Sequence, residues 1–363
     1  MTDDLGKVRE RIDEIDRSLQ ALLNERASAA LEVSRIKAAQ LADGEEAVYY
    51  RPEREAQILR RIRESNRGDM PPDVMARLFR EIISSCLSLE SPLSVAALGP
   101  AGTFTEQAAV KHFGHFARIE PLSSIAQVFR EVESDSVHYG VVPVENTTEG
   151  MVNQTLDCLM DSPLGVCGEV ELPVHQMLLG REDCDPSKAV EIVSHQQSLA
   201  QTRAWLDARY VNLPRRAVAS NGEAARLAAE SPDRLAVGGL RAAEIHGLKV
   251  FDRNIEDFPD NKTRFVVIGK TLAGASGEDK TSVLVTVKNE PGALYHILEP
   301  FHTCGVSLTR LETRPLRSGS WSYAFFIDFS GHRDEPHIKE VLSQVGGNVV
   351  NLRILGSYPA AAI

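Results

Sequence analysis

The sequence of 363 residues predicts a multidomain chain: an all-α helical segment over 1–91, a two-lobed α/β segment over 92–270, a linker over 271–280 and an α+β unit over 281–363. Three patterns predict it. Up to about residue 90, apolar positions recur at spacings of three and four without a strand-like run. From 93 to 270, short apolar runs alternate with amphipathic stretches, the pattern of α/β folding. After 281 the order reads β-α-β-β-α-β, the ferredoxin-like split unit.

The first helix runs to about Gln40, with a break around Asp43-Gly44; a second covers Pro52 to Asn66 and a third ends at about Glu90. In the first, Leu5, Val8, Ile12, Ile15, Leu19, Leu22, Arg26, Ala29, Val33 and Ile36 form one seam, so Arg26 occupies an apolar position. A buried guanidinium there either fixes register or meets an anion. Lys37 lies eleven residues on, on the same face and about 16 Å along the axis, within reach of the same small dianion. Arg9 stands 17 residues before Arg26, about 25 Å away. It can serve such a ligand only in a partner chain's site, which calls for an intertwined helical dimer. On the third helix Phe79, Ile83, Cys86 and Glu90 share one face.

In the middle segment, strand-like runs at Leu93 to Leu98, Val141 to Val144, Ala189 to Val193 and Leu235 to Val237 predict a largely parallel sheet. Three polar strings sit at the edges of such runs: Gly99-Pro100-Ala101-Gly102-Thr103-Phe104, Pro143-Val144-Glu145-Asn146-Thr147-Thr148-Glu149-Gly150 and Asn261-Lys262-Thr263-Arg264-Phe265. Ligand sites in α/β sheets form at strand ends. Hydroxyls, amides and one Arg suit an anionic metabolite held by hydrogen bonds. Ser194 and His195 are adjacent on a strand and point to opposite faces, which argues against a hydrolase pair. His112 and His115 lack a third ligand nearby and read as packing or surface residues. Leu272 to Lys280, rich in Gly, Ala and Ser, reads as the linker. Beyond it, strands at Ser282 to Val287, Val306 to Thr313, Trp321 to Phe329 and Val349 to Ser357 and helices at Leu294 to His302 and Pro336 to Val345 complete the split unit.

Composition narrows the function. A net charge of −11 without basic clusters argues against nucleic-acid or anionic-membrane partners. Five cysteines without C-x-x-C spacing suggest free thiols in a reducing compartment, so a cytoplasmic location is expected. No run approaches the roughly 18 apolar residues of a membrane span. Neither a metal nor another cofactor is expected.

The helical segment resembles all-helical chorismate mutases through Val8-Arg9-Glu10, Glu25-Arg26, Lys37, Arg51-Pro52-Glu53-Arg54-Glu55, Cys86 and Glu90. The middle segment resembles prephenate dehydratases through the three strings together with Ser194-His195-Gln196-Gln197 and Gln201. The last resembles the ACT amino-acid-sensing module, with Gly292-Ala293-Leu294-Tyr295 and Glu312-Thr313-Arg314-Pro315 at the effector motifs. The resemblance therefore covers nearly the whole chain and is to the bifunctional chorismate mutase and prephenate dehydratase family of phenylalanine synthesis, whose dehydratase part has the two lobes of type II periplasmic binding proteins.

It implies roles. Arg26, Arg54 and a neighbour's Arg9 would clamp the carboxylates of chorismate; Lys37 and Glu90 would contact its ether oxygen; Glu55 would take its hydroxyl; Cys86 and Arg51 would line the site. Glu90 stands where some members have Gln, and Arg51 where others have Asp. For prephenate, Thr263 would engage the reacting group. Arg264 would meet a carboxylate or serve structure, Glu145 would be a candidate acid, and Thr103, Phe104, Asn146, Thr147, Ser194 and Gln201 would line the cleft. L-Phenylalanine would bind the ACT motifs as effector, in a homodimer or higher oligomer. The alternatives are a monofunctional dehydratase with a helical dimerisation segment, and a ligand sensor without activity; a pure coil gains little from Arg26.

Overall fold

The computed structural model describes residues 2–40, 49–315 and 323–361. The expected break at Asp43-Gly44 and the strand start at Trp321 lie outside the described residues. Helix α1 spans Thr2–Gln40, α2 Pro52–Ser65 and α3 Pro72–Glu90. Pro52 and Pro72 open their helices, where a missing N–H costs nothing and the fixed φ is already helical. Helix α1 packs on α3. Most of its seam stays open to solvent, with Leu5 55%, Ile12 50% and Leu19 52% exposed.

The first lobe contains β1 (Ser94–Leu98), α4 (Phe104–Phe113), β2 (Arg118–Leu122), α5 (Ile125–Glu133), β3 (Tyr139–Asn146), β4 (Gly150–Met151), α6 (Asn153–Asp161) and β5 (Gly165–Pro173). The second holds β6 (Met177–Gly180), β7 (Glu191–His195), α7 (Gln196–Gln201), α8 (Arg203–Arg209), β8 (Arg215–Val218), α9 (Asn221–Glu230), β9 (Arg234–Gly238), α10 (Leu240–His246) and β10 (Lys249–Asp252). Strand β11 (Lys262–Gly269) then returns to the first lobe and enters between β3 and β5, antiparallel to both. In the second lobe β6 likewise pairs antiparallel with β9 and β10. Both sheets are therefore mixed, not largely parallel as expected. A chain that leaves one lobe to build another must re-enter it, and here the return strand runs against its neighbours.

The last unit comprises β12 (Asp279–Val287), α11 (Ala293–Thr303), β13 (Leu308–Pro315), β14 (Tyr323–Ser330), α12 (Pro336–Gly347) and β15 (Asn351–Pro359), with sheet order β13-β14-β12-β15. This is the split unit read from the pattern. Its sheet packs directly on the first lobe: Leu284, Phe326, Leu355 and Tyr358 share one core with Val142, Val166 and Val266. Gly356 permits this approach, since a Cβ there would lie 1.9 Å from the Val166 carbonyl oxygen.

The helical unit is also fastened. Tyr50 is buried beside Phe113 and Tyr139, both ring centroids 5.3 Å away. The stretch read as a linker is a docked strap: Arg60 of α2 donates to the Ser276 carbonyl at 3.0 Å and to Ser276 Oγ at 2.6 Å, and Gln57 donates to the Ala275 carbonyl. Asp279 Oδ2 accepts from the Ser276 and Gly277 amides. Small residues read from composition as a linker here let the backbone lie against a helix.

Candidate active sites

The first site lies among the three helices, a cavity of about 360 Å³ lined by Arg26, Lys37, Arg51, Arg54, Glu55, Cys86 and Glu90 along with apolar residues of α1 and α3. Seven of the eight residues expected here therefore meet. Arg9 does not; it is exposed far along α1. The other four cations give the cavity a positive lining. Arg26 NH1 donates to the Ile82 carbonyl at 3.4 Å, which turns its guanidinium toward α3, and the Lys37 ammonium lies 5.5 Å from the Tyr49 ring centroid. Burial raises the Glu90 carboxyl above the ordinary range, while Lys37 and Arg26 pull it back. Glu55 is buried and likewise raised by desolvation, with Arg80 at 3.2 Å opposing.

The second site is a cavity of about 490 Å³ between the lobes. On the first-lobe side it is lined by Thr103, Phe104, Asn146 and Thr263. Thr263 Oγ1 accepts from Asn146 Nδ2 at 2.8 Å. That leaves the threonine proton to be given to a ligand, since none of the described residues accepts it. Asn146 is itself held by its Oδ1, which accepts from the Thr148 and Glu149 amides, so Thr263 is a pre-oriented donor. The Thr103 hydroxyl caps α4 by accepting from the Glu106 amide and donates to the Leu98 carbonyl. Its role is to aim the helix start at the cleft.

Four expected residues lie elsewhere. Asn146 lines the cavity, and its neighbour Glu145 points to the other face of β3. There Glu145 sits 3.8 Å from Arg310. Arg264 likewise turns away from Thr263 and binds Glu169 at 3.0 Å, Asp328 at 2.6 Å and the Tyr358 hydroxyl at 3.0 Å. Ser194 is buried behind the wall, donating to the Val237 carbonyl at 2.7 Å. Thr147 joins the Asn261-Lys262 turn, accepting from the Lys262 amide.

The second-lobe side includes Gln201, as expected, Gln197 of the quoted motif, and residues the sequence did not disclose: Gln176, Ser198, Ser220 and Asn221. Gln176 Nε2 donates to Ser198 Oγ at 3.1 Å and to Gln201 Oε1 at 3.3 Å, while its Oε1 is buried without a partner among the described residues. Nothing local marks Gln176, which reaches the cleft because the chain crosses between lobes there. Across the mouth, Gln197 Nε2 donates to Glu149 Oε2 at 3.0 Å, and elsewhere between the lobes Arg241 pairs with Glu106 at 3.3 Å. His195 lines the cavity while Ser194 faces away. His112 is buried against Tyr50 and desolvation lowers it to about 3, whereas His115 pairs with Glu81 at the surface.

In the last unit, Val287 and Pro315 both pair with Tyr323. The Gly292-Ala293-Leu294 helix start and the Glu312-Thr313-Arg314-Pro315 strand end thus lie at one end of the sheet. Gly292 has φ +83, the left-handed region that suits glycine. Arg314 reaches out of the unit to Asp157 on α6. Among the described residues no group of three His, Cys, Asp or Glu is placed to hold a metal ion, and no helix is long and apolar enough to cross a membrane.

Comparison with known proteins divides the chain in the same way. Residues 8–91 match chorismate mutase type II, 95–272 prephenate dehydratase and 281–347 the ACT domain. A protein of Stutzerimonas stutzeri named bifunctional chorismate mutase/prephenate dehydratase is 51% identical over 361 residues, covering 99% of each chain. The solved prephenate dehydratase of Arthrobacter aurescens in complex with L-Phe superposes with a TM-score of 0.68 at 31% identity, over 74% of this chain and 90% of that one. GqqA, described as a quorum quenching acylase, gives 0.68 at 28% identity, over 74% of this chain and 98% of that one.

Proposed function

The chain belongs to the bifunctional chorismate mutase/prephenate dehydratase family, and from that premise we propose which residues perform each step and how the last unit regulates them. The observation that carries the reading is the presence of two separate cavities, a cationic one among the helices and one between the lobes lined largely by amides and hydroxyls. In the first, Arg26 and Arg54 hold the carboxylates of chorismate while Lys37 and Glu90 face the ether oxygen, which gains negative charge as the C–O bond breaks. The neighbour's Arg9 completes the site. In the second, the C–C bond to the ring carboxylate of prephenate breaks to release carbon dioxide, its electron pair aromatises the ring as the C–OH bond breaks, and the departing hydroxide takes a proton from solvent to leave as water. Thr263 is the donor aimed at the departing oxygen. Acylase chemistry through Ser194 is disfavoured, because its hydroxyl is spent on the Val237 carbonyl.

The buried ion network supports feedback by L-phenylalanine. Arg310, two residues before the effector strand motif, reaches both Glu145 and Asp328, and Asp328 binds Arg264, the neighbour of Thr263. Burial pushes Asp328 up, but Arg264 and Arg310 more than offset it and hold it below the usual range, so the network is charged. Purified full-length protein given chorismate should form phenylpyruvate, read by its ultraviolet absorbance, and L-phenylalanine should suppress the second step. Leu294→Arg should raise the half-inhibitory concentration more than about tenfold, the loss of one good contact set. Unchanged inhibition would move the effector site elsewhere. Truncation after Lys270 is a poorer test, since it uncovers the core that Val142, Val166 and Val266 share with Leu284, Phe326, Leu355 and Tyr358.

Glu90 sets the pH dependence of the mutase. Only its neutral form can donate to the ether oxygen, and burial keeps that form to higher pH than an ordinary carboxyl. Mutase kcat/KM should therefore fall as pH rises through this titration. Glu90→Gln, a permanent donor, should flatten that alkaline limb between about pH 5 and 9. Identical profiles would leave Lys37 as the sole partner of the ether oxygen.

A further inference from the structure

Arg80 belongs to neither substrate's expected contacts, yet it is the cation on the buried carboxylate of the helical cavity. Its Nε donates to Glu55 Oε1 at 3.2 Å, with the two side chains only 12% and 11% exposed. Its NH1 donates to the Lys111 carbonyl at 2.7 Å, one of the carbonyls that the end of α4 cannot satisfy within the helix. The guanidinium is thus clamped from two sides, by α2 and by the first lobe, and cannot rotate without breaking one bond. Among the described residues Glu55 Oε2 accepts from no donor, while Glu55 itself lines the cavity.

Resting on the reading of Glu55 as the acceptor for the hydroxyl of chorismate, we propose that Arg80 is the positioning residue of the mutase site, presenting Glu55 as an oriented anion with its second oxygen toward the substrate. A neutral carboxyl rotates and offers a donor as readily as an acceptor, whereas an ionised one offers acceptors alone. Desolvation works toward the neutral form and Arg80 against it. The other charged or titratable groups around Glu55 among the described residues are Arg26 and Lys37 from α1, Cys86 and Glu90 from α3, Tyr49, Tyr50, Arg51 and Arg54 from its own segment, and His112 and Glu169 from the first lobe. Of all these, only Arg80 bonds the carboxylate directly.

The test compares mutase kcat/KM against pH for the full-length parent, Arg80→Gln, Glu55→Gln and the double variant, with prephenate turnover by the same samples reporting that the fold survives. Arg80→Gln should lower kcat/KM about 10- to 100-fold near pH 6, and its acidic limb should move up by about one pH unit, because Glu55 now needs a higher pH to ionise. In the Glu55→Gln background the same substitution should change kcat/KM less than about twofold, the mark of a residue that acts through its partner. If Arg80→Gln does not fold, Arg80→Lys and the double variant, which strands no buried charge, carry the comparison. A loss equal at every pH, or equal in both backgrounds, would overturn the proposal and make Arg80 a structural strut. A parent-like Glu55→Gln would overturn it differently, by removing Glu55 from the site.

Discussion

Thr263→Ala is expected to lower dehydratase kcat/KM on prephenate by about 10²–10³-fold, the usual cost of one pre-oriented donor, while chorismate rearrangement stays near the parental rate. The size of the effect follows from orientation. Asn146 fills the acceptor side of the Thr263 hydroxyl and leaves its proton toward the cavity, so no water or side chain need reorganise as charge develops on the departing oxygen. The separation of effects follows from the fold, because Thr263 lies between the lobes and the cationic cavity lies among the helices. Steady-state assays with each substrate supplied directly check it. Loss of both activities, or of neither, would remove Thr263 from its assigned role.

Mixing two inactive chains should restore mutase activity. Arg26 lines the helical cavity and Arg9 stands 17 residues away on the same helix, about 25 Å by helical rise. The open apolar seam of α1, with Leu5, Ile12 and Leu19 about half exposed, calls for a second copy of this helix. In such a dimer each site would take Arg26 from one chain and Arg9 from the other. Arg9→Ala and Arg26→Ala should each cost two orders of magnitude or more, roughly the loss of a buried carboxylate clamp. After exchange in equal amounts, half the dimers are mixed and one of their two sites is intact, so about a quarter of parental activity should return. No recovery after verified exchange would place Arg9 outside the site.

The helical site was legible because helical spacing fixes faces: Arg26 and Lys37 are three turns apart and Cys86 and Glu90 one turn, so sequence positions translate into shared direction. Strands invert that logic. A polar string such as Glu145-Asn146 or Thr263-Arg264 was read whole, but a period of two sends alternate members to opposite faces, and only Asn146 and Thr263 reach the cleft. Ser194 failed for the same reason. Of the second-lobe wall Gln201 was legible, but Gln176 and Asn221 were not, since they join it only through the crossing of the chain. The mixed sheets were missed because pairing direction depends on where β11 re-enters, and the strap because composition reports how small residues are, not what they touch.

That strap also sets a clock on synthesis. Arg60 and its partner Ser276 are 216 positions apart, so at 5–20 residues per second a ribosome needs roughly ten to forty seconds to deliver the second after the first. Through that interval α1 to α3 emerge with both their apolar seam and their strap-binding face uncovered. The helical unit must therefore hold together by its own packing, by its first-lobe contacts, or by meeting another nascent helix, well before the strap exists.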